Sequence, residues 1–147
     1  MGPGAGQDAG SASQEPTLSA FLDTNVLIRH VTADPPDQGR RATRMLIGEE
    51  ELLLADLIVA ECVYVLESFY ELPRERVAEL MRATIALPAI RVVDARTLLR
   101  ALELYEVARI DFAEAYLAAS AEVTGVGVVA SFDRALDRVS TVCRLEP

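Results

Sequence analysis

From Leu18 onward, short apolar runs alternate with stretches in which apolar residues recur at helical spacing. Leu18 to Leu22 reads as a short strand ending at Asp23, and Val26 to Val31 as a short helix. Asp34-Pro35-Pro36 then interrupts the chain. Its prolines suit the first turn of a helix that carries Arg40, Arg41 and Arg44 and stops at Gly48. Leu52 to Ala55 predicts a second strand, with Asp56 placed to cap a long helix reaching Tyr70. Pro73 opens a helix that runs to Leu87, where Pro88 ends it. Ile90 to Val93 predicts a third strand, followed by helices from Asp94 to Ala108 and from Asp111 to Gly125. Val126 to Ala130 is apolar enough to predict a strand covered on both faces, and Thr141 to Leu145 suggests an edge strand. Strands alternating with helices predict a three-layer α/β/α sandwich around a mainly parallel sheet. In such sheets ligands bind beyond the carboxyl ends of the strands.

The first sixteen residues, MGPGAGQDAGSASQEP, have no apolar face and read as a disordered leader, which leaves 17–147 as one domain. A chain of 147 residues buries roughly 70% of its unfolded surface, so a core needs no disulfide or structural metal. No apolar run approaches the roughly 20 residues of a membrane span, and no basic segment leads into an apolar one as in a signal peptide. The expectation is a soluble, cytoplasmic protein with no membrane partner. Cys62 and Cys143 lie in apolar segments and read as buried free thiols. His30 is the single histidine, so a zinc site of the His/Cys kind lacks material and any metal must be held by oxygen. The net charge is −9 and all 14 basic residues are arginine. That balance argues against nucleic-acid binding through overall positive charge. It fits either a solvated acidic surface or acids gathered around a cation.

The positions of the acids bear on that choice. Asp23 ends the first strand inside FLDTNVLIRH, where it suits either a helix cap or a strand-end metal ligand. Glu61 shares a helical neighbourhood with Leu57, Ile58, Tyr64 and Val65, with no arginine within a turn. A carboxylate on an apolar face needs a partner, a proton or a cation. Asp111 and Glu114 open a helix three residues apart and so point the same way, either for the helix dipole or for a shared ligand. Ala115 and Ala118 follow on that face and leave space beside the acids, while Phe112, Tyr116 and Leu117 suit the core. Ser131 and Asp133 follow the fourth strand in VVASFDRAL and, two apart, face one side; Asp133 also suits the cap of a short helix from Arg134. Four segments thus bring acid to one edge. Carboxylates crowded there would raise one another's pKa, and a hard divalent ion, Mg²⁺ or Mn²⁺, removes that penalty.

FLDTNVLIRH, AECVYVL, IDFAEAYLAASAEVTG and VVASFDRALDRV together resemble the PIN-domain ribonucleases, in particular the VapC-like toxins of type II toxin–antitoxin systems. The likeness runs from Leu18 through nearly the whole chain. It implies that Asp23, Glu61, Asp111 and Asp133 match the family's four acids, and that Asn25 and Ser131 match the polar residues that order the site. Glu114 stands where many members carry Asp, and Ser131 where many carry Thr. The resemblance implies a Mg²⁺- or Mn²⁺-dependent endoribonuclease, a homodimer, held inactive by a cognate antitoxin protein. Arg29, Arg40, Arg41 and Arg44 are candidates for contacting RNA phosphates, or else line a solvated helix face. Val31, Tyr64, Leu66 and Phe69 offer an apolar groove for the antitoxin, or belong to the core.

Two other readings stay open. An aspartate-based phosphoryl-transfer protein also puts Asp at a strand end, but it calls for a lysine near the phosphate, and none occurs. A non-catalytic PIN-fold binding module is compatible with the same pattern, although such modules often lose acids that are all present in this chain.

Overall fold

The computed structural model describes residues 19–147. The leader at 1–16, the start of the domain at Thr17 and the start of the first strand at Leu18 lie outside the described residues. Along the chain run β1 (Ser19–Phe21), α1 (Thr24–Thr32), α2 (Pro36–Leu46), β2 (Glu51–Leu53), α3 (Asp56–Ser68) and α4 (Arg74–Ile85). Then come β3 (Ile90–Arg91), α5 (Ala95–Val107), α6 (Phe112–Thr124), β4 (Val128–Ala130), a 3-10 helix (Arg134–Arg138) and β5 (Cys143–Leu145). The mixed α/β architecture with parallel strands is the expected three-layer sandwich.

All strand pairs are parallel. β2 lies between β1 and β3, with Ala20 opposite Leu52 and Leu52 opposite Ile90. β4 pairs with β5, Val129 facing Arg144. Backbone bonds from Leu22 N to Leu53 O and from Leu54 N to Arg91 O, both 2.9 Å, carry the first ladder past its strand ends. Leu22 and Leu54 are therefore buried just before the chain turns outward. The chain leaves β1 at Asp23 and β2 at Ala55 on the same edge, as parallel pairing requires.

The helices bury faces set by their sequence. On α5, Leu98, Ala101, Leu102 and Tyr105 recur at three- and four-residue spacing and are buried. On α6, Ala115, Ala118 and Ala119 are fully buried, and small side chains let α6 lie close against α5, its main partner. Ala115 and Ala118 thus belong to the core and do not leave space beside the acids. Leu117 is exposed rather than in the core, while Phe112 is buried as expected. α1 and α2 approach so closely that a Cβ on Gly39 would lie 2.7 Å from the Ala33 Cα.

Three further expectations are corrected. The fourth strand is not covered on both faces: only Val129 is buried, and Val126 and Val128 are exposed. A run of β-branched residues reports strand preference, and cover depends on what packs above it. Asp56 does not cap α3, because Ala55 holds the cap position and Asp56 is the first helical residue. Its carboxylate instead accepts a hydrogen bond from the Tyr116 hydroxyl of α6. Cys62 is a buried free thiol, but Cys143 is exposed on β5.

Candidate functional site

Asp23 follows β1 and caps α1, its carboxylate accepting from Thr24 N at 2.8 Å. Asn25, the second residue of α1, is exposed, and the Oγ1 of neighbouring Thr24 is buried without a partner. Glu61 lies on α3 beside Cys62, and the Cys62 thiol, pushed up to about 12 first by burial, is raised further by the charges of Glu61 and Asp23. That shared influence places the first strand end and the middle of α3 within electrostatic reach. Of the apolar neighbours around Glu61, Leu57 and Tyr64 are 71% and 70% exposed, while Ile58 and Val65 are half-buried against the core. Apolar spacing on α3 marks two faces, and the buried one carries Val59, Cys62, Val63 and Leu66.

Asp111 holds the cap position of α6 without a side-chain cap bond, and Glu114 lies within the first turn. Asp133 caps the 3-10 helix by accepting from Ala135 N at 2.9 Å, and its own N–H donates to Ser131 Oγ at 2.9 Å. Ser131 is tied to β5 through its N–H to Leu145 O at 3.0 Å. Glu114, half-buried, has its carboxyl raised above the ordinary glutamate range by burial, then by the charges of Asp111 and Asp133. An uncompensated carboxylate next to two others behaves this way.

Asp111 and Asp133 thus act on Glu114, while Asp23 and Glu61 both act on Cys62. Among the described residues, no three acid, histidine or cysteine side chains stand close enough together to hold a metal as they lie. Three of the acids have a local reason to turn aside. Asp23 and Asp133 serve backbone amides, and Asp111 leans toward Arg74, with 3.7 Å between Oδ1 and Nη2. The donor set nonetheless fits a hard divalent ion: all oxygen, mostly exposed, in excess of nearby positive charge.

Arg29 donates from Nε to Gln38 Oε1 at 2.8 Å and helps join α1 to α2. Arg40, Arg41 and Arg44 are exposed on α2. In the expected apolar groove, Tyr64 and Phe69 are exposed and Val31 is half-buried, but Leu66 is fully buried and belongs to the core. Sequence reasoning passed over Arg74, which follows Pro73 at a helix start and looks like an ordinary surface arginine. Its contacts come from residues more than thirty positions away, and no local signal announces them. It also read Asp56 as a cap, and nothing local pairs that residue with Tyr116.

Among the described residues, no helix is long and apolar enough to cross a membrane. No curated protein matches the chain. A family model described as the PIN domain matches residues 20–142, from β1 to the approach to β5. PIN domains are generally nucleases. The match spans most of the sequence and all four acid-bearing segments, and the chain belongs to the PIN-domain family.

Proposed function

We propose that this chain is a Mg²⁺- or Mn²⁺-dependent endoribonuclease that acts in the cytoplasm as the toxin of a toxin–antitoxin pair. The observation that carries the reading is the PIN-domain match over residues 20–142, which spans all four segments that bear the acids. Asp23, Glu61, Asp111, Glu114 and Asp133 are the residues to hold the ion. When bound, the ion would lower the pKa of a water and neutralise charge on the phosphate.

The chain's own residues provide the setting. Ser131 fixes the loop that presents Asp133, and Asn25 sits beside the Asp23 cap. With the single histidine bonded through Nδ1 to Thr43 Oγ1, and no lysine in the chain, the site offers carboxylates alone as proton acceptors. Arg29 is in no ion pair among the described residues and is a candidate for a substrate phosphate. Exposed Tyr64 and Phe69 support an apolar docking surface for a second copy or an antitoxin. Sedimentation that finds only monomer, and no affinity for the product of a neighbouring gene, would remove the toxin assignment.

A second reading, a non-catalytic PIN-fold module, is favoured by the caps that occupy Asp23 and Asp133. Incubation with total RNA in Mn²⁺, with EDTA and Asp23→Asn as controls, separates the two. Cleavage lost in both controls supports the nuclease. Mn²⁺ binding by calorimetry without cleavage of any RNA offered supports the module, and no Mn²⁺ binding at all overturns the cation site.

A further inference from the structure

We infer that Arg74 is a positioning residue that sets Asp111 for the cation, an inference that rests on the cation site proposed above. Asp111 has little of its own to hold it. Its side chain is 76% exposed and makes no cap bond. The turn that delivers it from α5 passes through Arg109 at φ 56, a left-handed conformation that a residue with a Cβ adopts reluctantly. Such a turn needs restraint from outside.

Arg74, the first residue of α4, supplies it. Its Nη1 donates to Tyr105 O at 2.9 Å and to Ile110 O at 2.6 Å, bracketing the turn from both sides. Its guanidinium carbon lies 4.5 Å from the centroid of the Tyr105 ring, in range for a cation–π contact. The Arg74 side chain is only 17% exposed. Tyr105, itself buried, donates its hydroxyl to Glu67 on α3, the helix of Glu61. From the other side, Arg138 Nη1 donates to Arg109 O at 2.8 Å, and Arg138 belongs to the 3-10 helix that Asp133 caps. The turn that carries Asp111 is thereby fixed against the elements that carry Glu61 and Asp133.

The contact with the carboxylate itself is loose. At 3.7 Å, Arg74 Nη2 is beyond hydrogen-bonding distance of Asp111 Oδ1. Arg74 acts on Asp111 mainly through the backbone, leaving the carboxylate available. Nη1 serves both carbonyls while the flat guanidinium lies over the Tyr105 ring, a stacking that the compact ammonium of lysine does not reproduce.

The test is a double-mutant cycle read by Mn²⁺ calorimetry, run to millimolar metal, on the wild type, Arg74→Met, Asp111→Asn and the double variant, with thermal melts of each. Arg74→Met is expected to weaken Mn²⁺ binding by about tenfold, as loss of a ligand-orienting group does. In the Asp111→Asn background the same change should then cost less than about twofold, because Arg74 works through Asp111. Wild-type affinity in Arg74→Met, with only a lower Tm, overturns the inference and leaves the cation site standing; so does equal weakening in both backgrounds. Failure of the wild type to bind Mn²⁺ removes the cation site and this inference together. Should Arg74→Met not fold, Arg74→Lys carries the test: weakened binding supports the inference, and full wild-type affinity overturns it.

Discussion

Tyr116→Phe removes one hydroxyl from the contact between α3 and α6 and leaves the ring in place. That hydroxyl donates to Asp56 Oδ2, while Asp56 Oδ1 is buried with no protein partner. Tyr116 is thus the side chain that compensates this carboxylate. A hydrogen bond to a charged group contributes roughly 1.5–3 kcal/mol. Both residues are only half-buried, so water replaces part of the lost donor, and the expected cost lies near the lower end, about 2 kcal/mol. For a domain of this size that lowers Tm by roughly 4–8 °C. The pH dependence supplies a second signature. Hydrogen bonding to Asp56, then burial, pushes the Tyr116 phenol up to about 12 from its ordinary 10.0. A phenol raised in the folded state stabilises fully below pH 10, and that stabilisation is lost as pH rises toward 12. Urea denaturation of wild type and Tyr116→Phe at pH 7 and pH 11 reads both effects, with roughly half the gap gone at the higher pH. A gap under about 0.5 kcal/mol at pH 7, or one that does not narrow by pH 11, would refute the reasoning.

Other expectations follow from the packing. Glu122 receives Arg100 through both carboxylate oxygens, at 2.7 and 2.9 Å, and that bond, reinforced by Thr141, holds its carboxyl below the usual 4.5. Glu122→Gln should cost about 1–2 kcal/mol at neutral pH. A lowered carboxyl stabilises above the ordinary glutamate range and loses that effect as pH falls through the folded value, so denaturation at pH 3 should show a smaller gap. Gly39→Ala places a Cβ 2.7 Å from the Ala33 backbone; overpacking of roughly 1–3 kcal/mol outweighs a helix-propensity gain of about 1 kcal/mol. A melt of that variant at or above the wild-type Tm would contradict the close approach. A thiol reagent should label one cysteine per native chain, the exposed Cys143, and both after denaturation.

The alternation of apolar runs with helical spacing was enough to place every strand and helix within a few residues, because each element leaves a local periodic trace. Asp94 was legible as the start of α5 for the same reason, and it bonds Thr97 N at 3.1 Å. What local pattern does not carry is cover. Tyr64 and Leu66 look alike in sequence, yet one is exposed and the other fully buried, because the two lie on different faces of α3 and only partners distant in sequence decide which face is roofed. Val128 misled in the same way. Apart from Glu61 in the middle of α3, the acids were legible as strand-end and helix-start residues, and Asp23 and Asp133 make the expected cap bonds in the structure. Which role governs in solution depends on an ion, and no residue spacing contains that information. Arg74 was illegible because its partners, Tyr105 and Ile110, belong to segments that meet it only after folding.

The pairing of β4 with β5 has a consequence for timing during synthesis. Ser131 N reaches Leu145 O, and β5 is the strand hydrogen-bonded to β4 among the described residues. On a growing chain, the loop bearing Ser131 and Asp133 lacks this anchor until residues 143–145 have emerged, long after Asp23 has been made. The pair is close in sequence, Val128 facing Cys143, so it can close soon after β5 is available. Presentation of Asp133 is thus coupled to the arrival of β5 and not only to that of β4, the strand it directly follows.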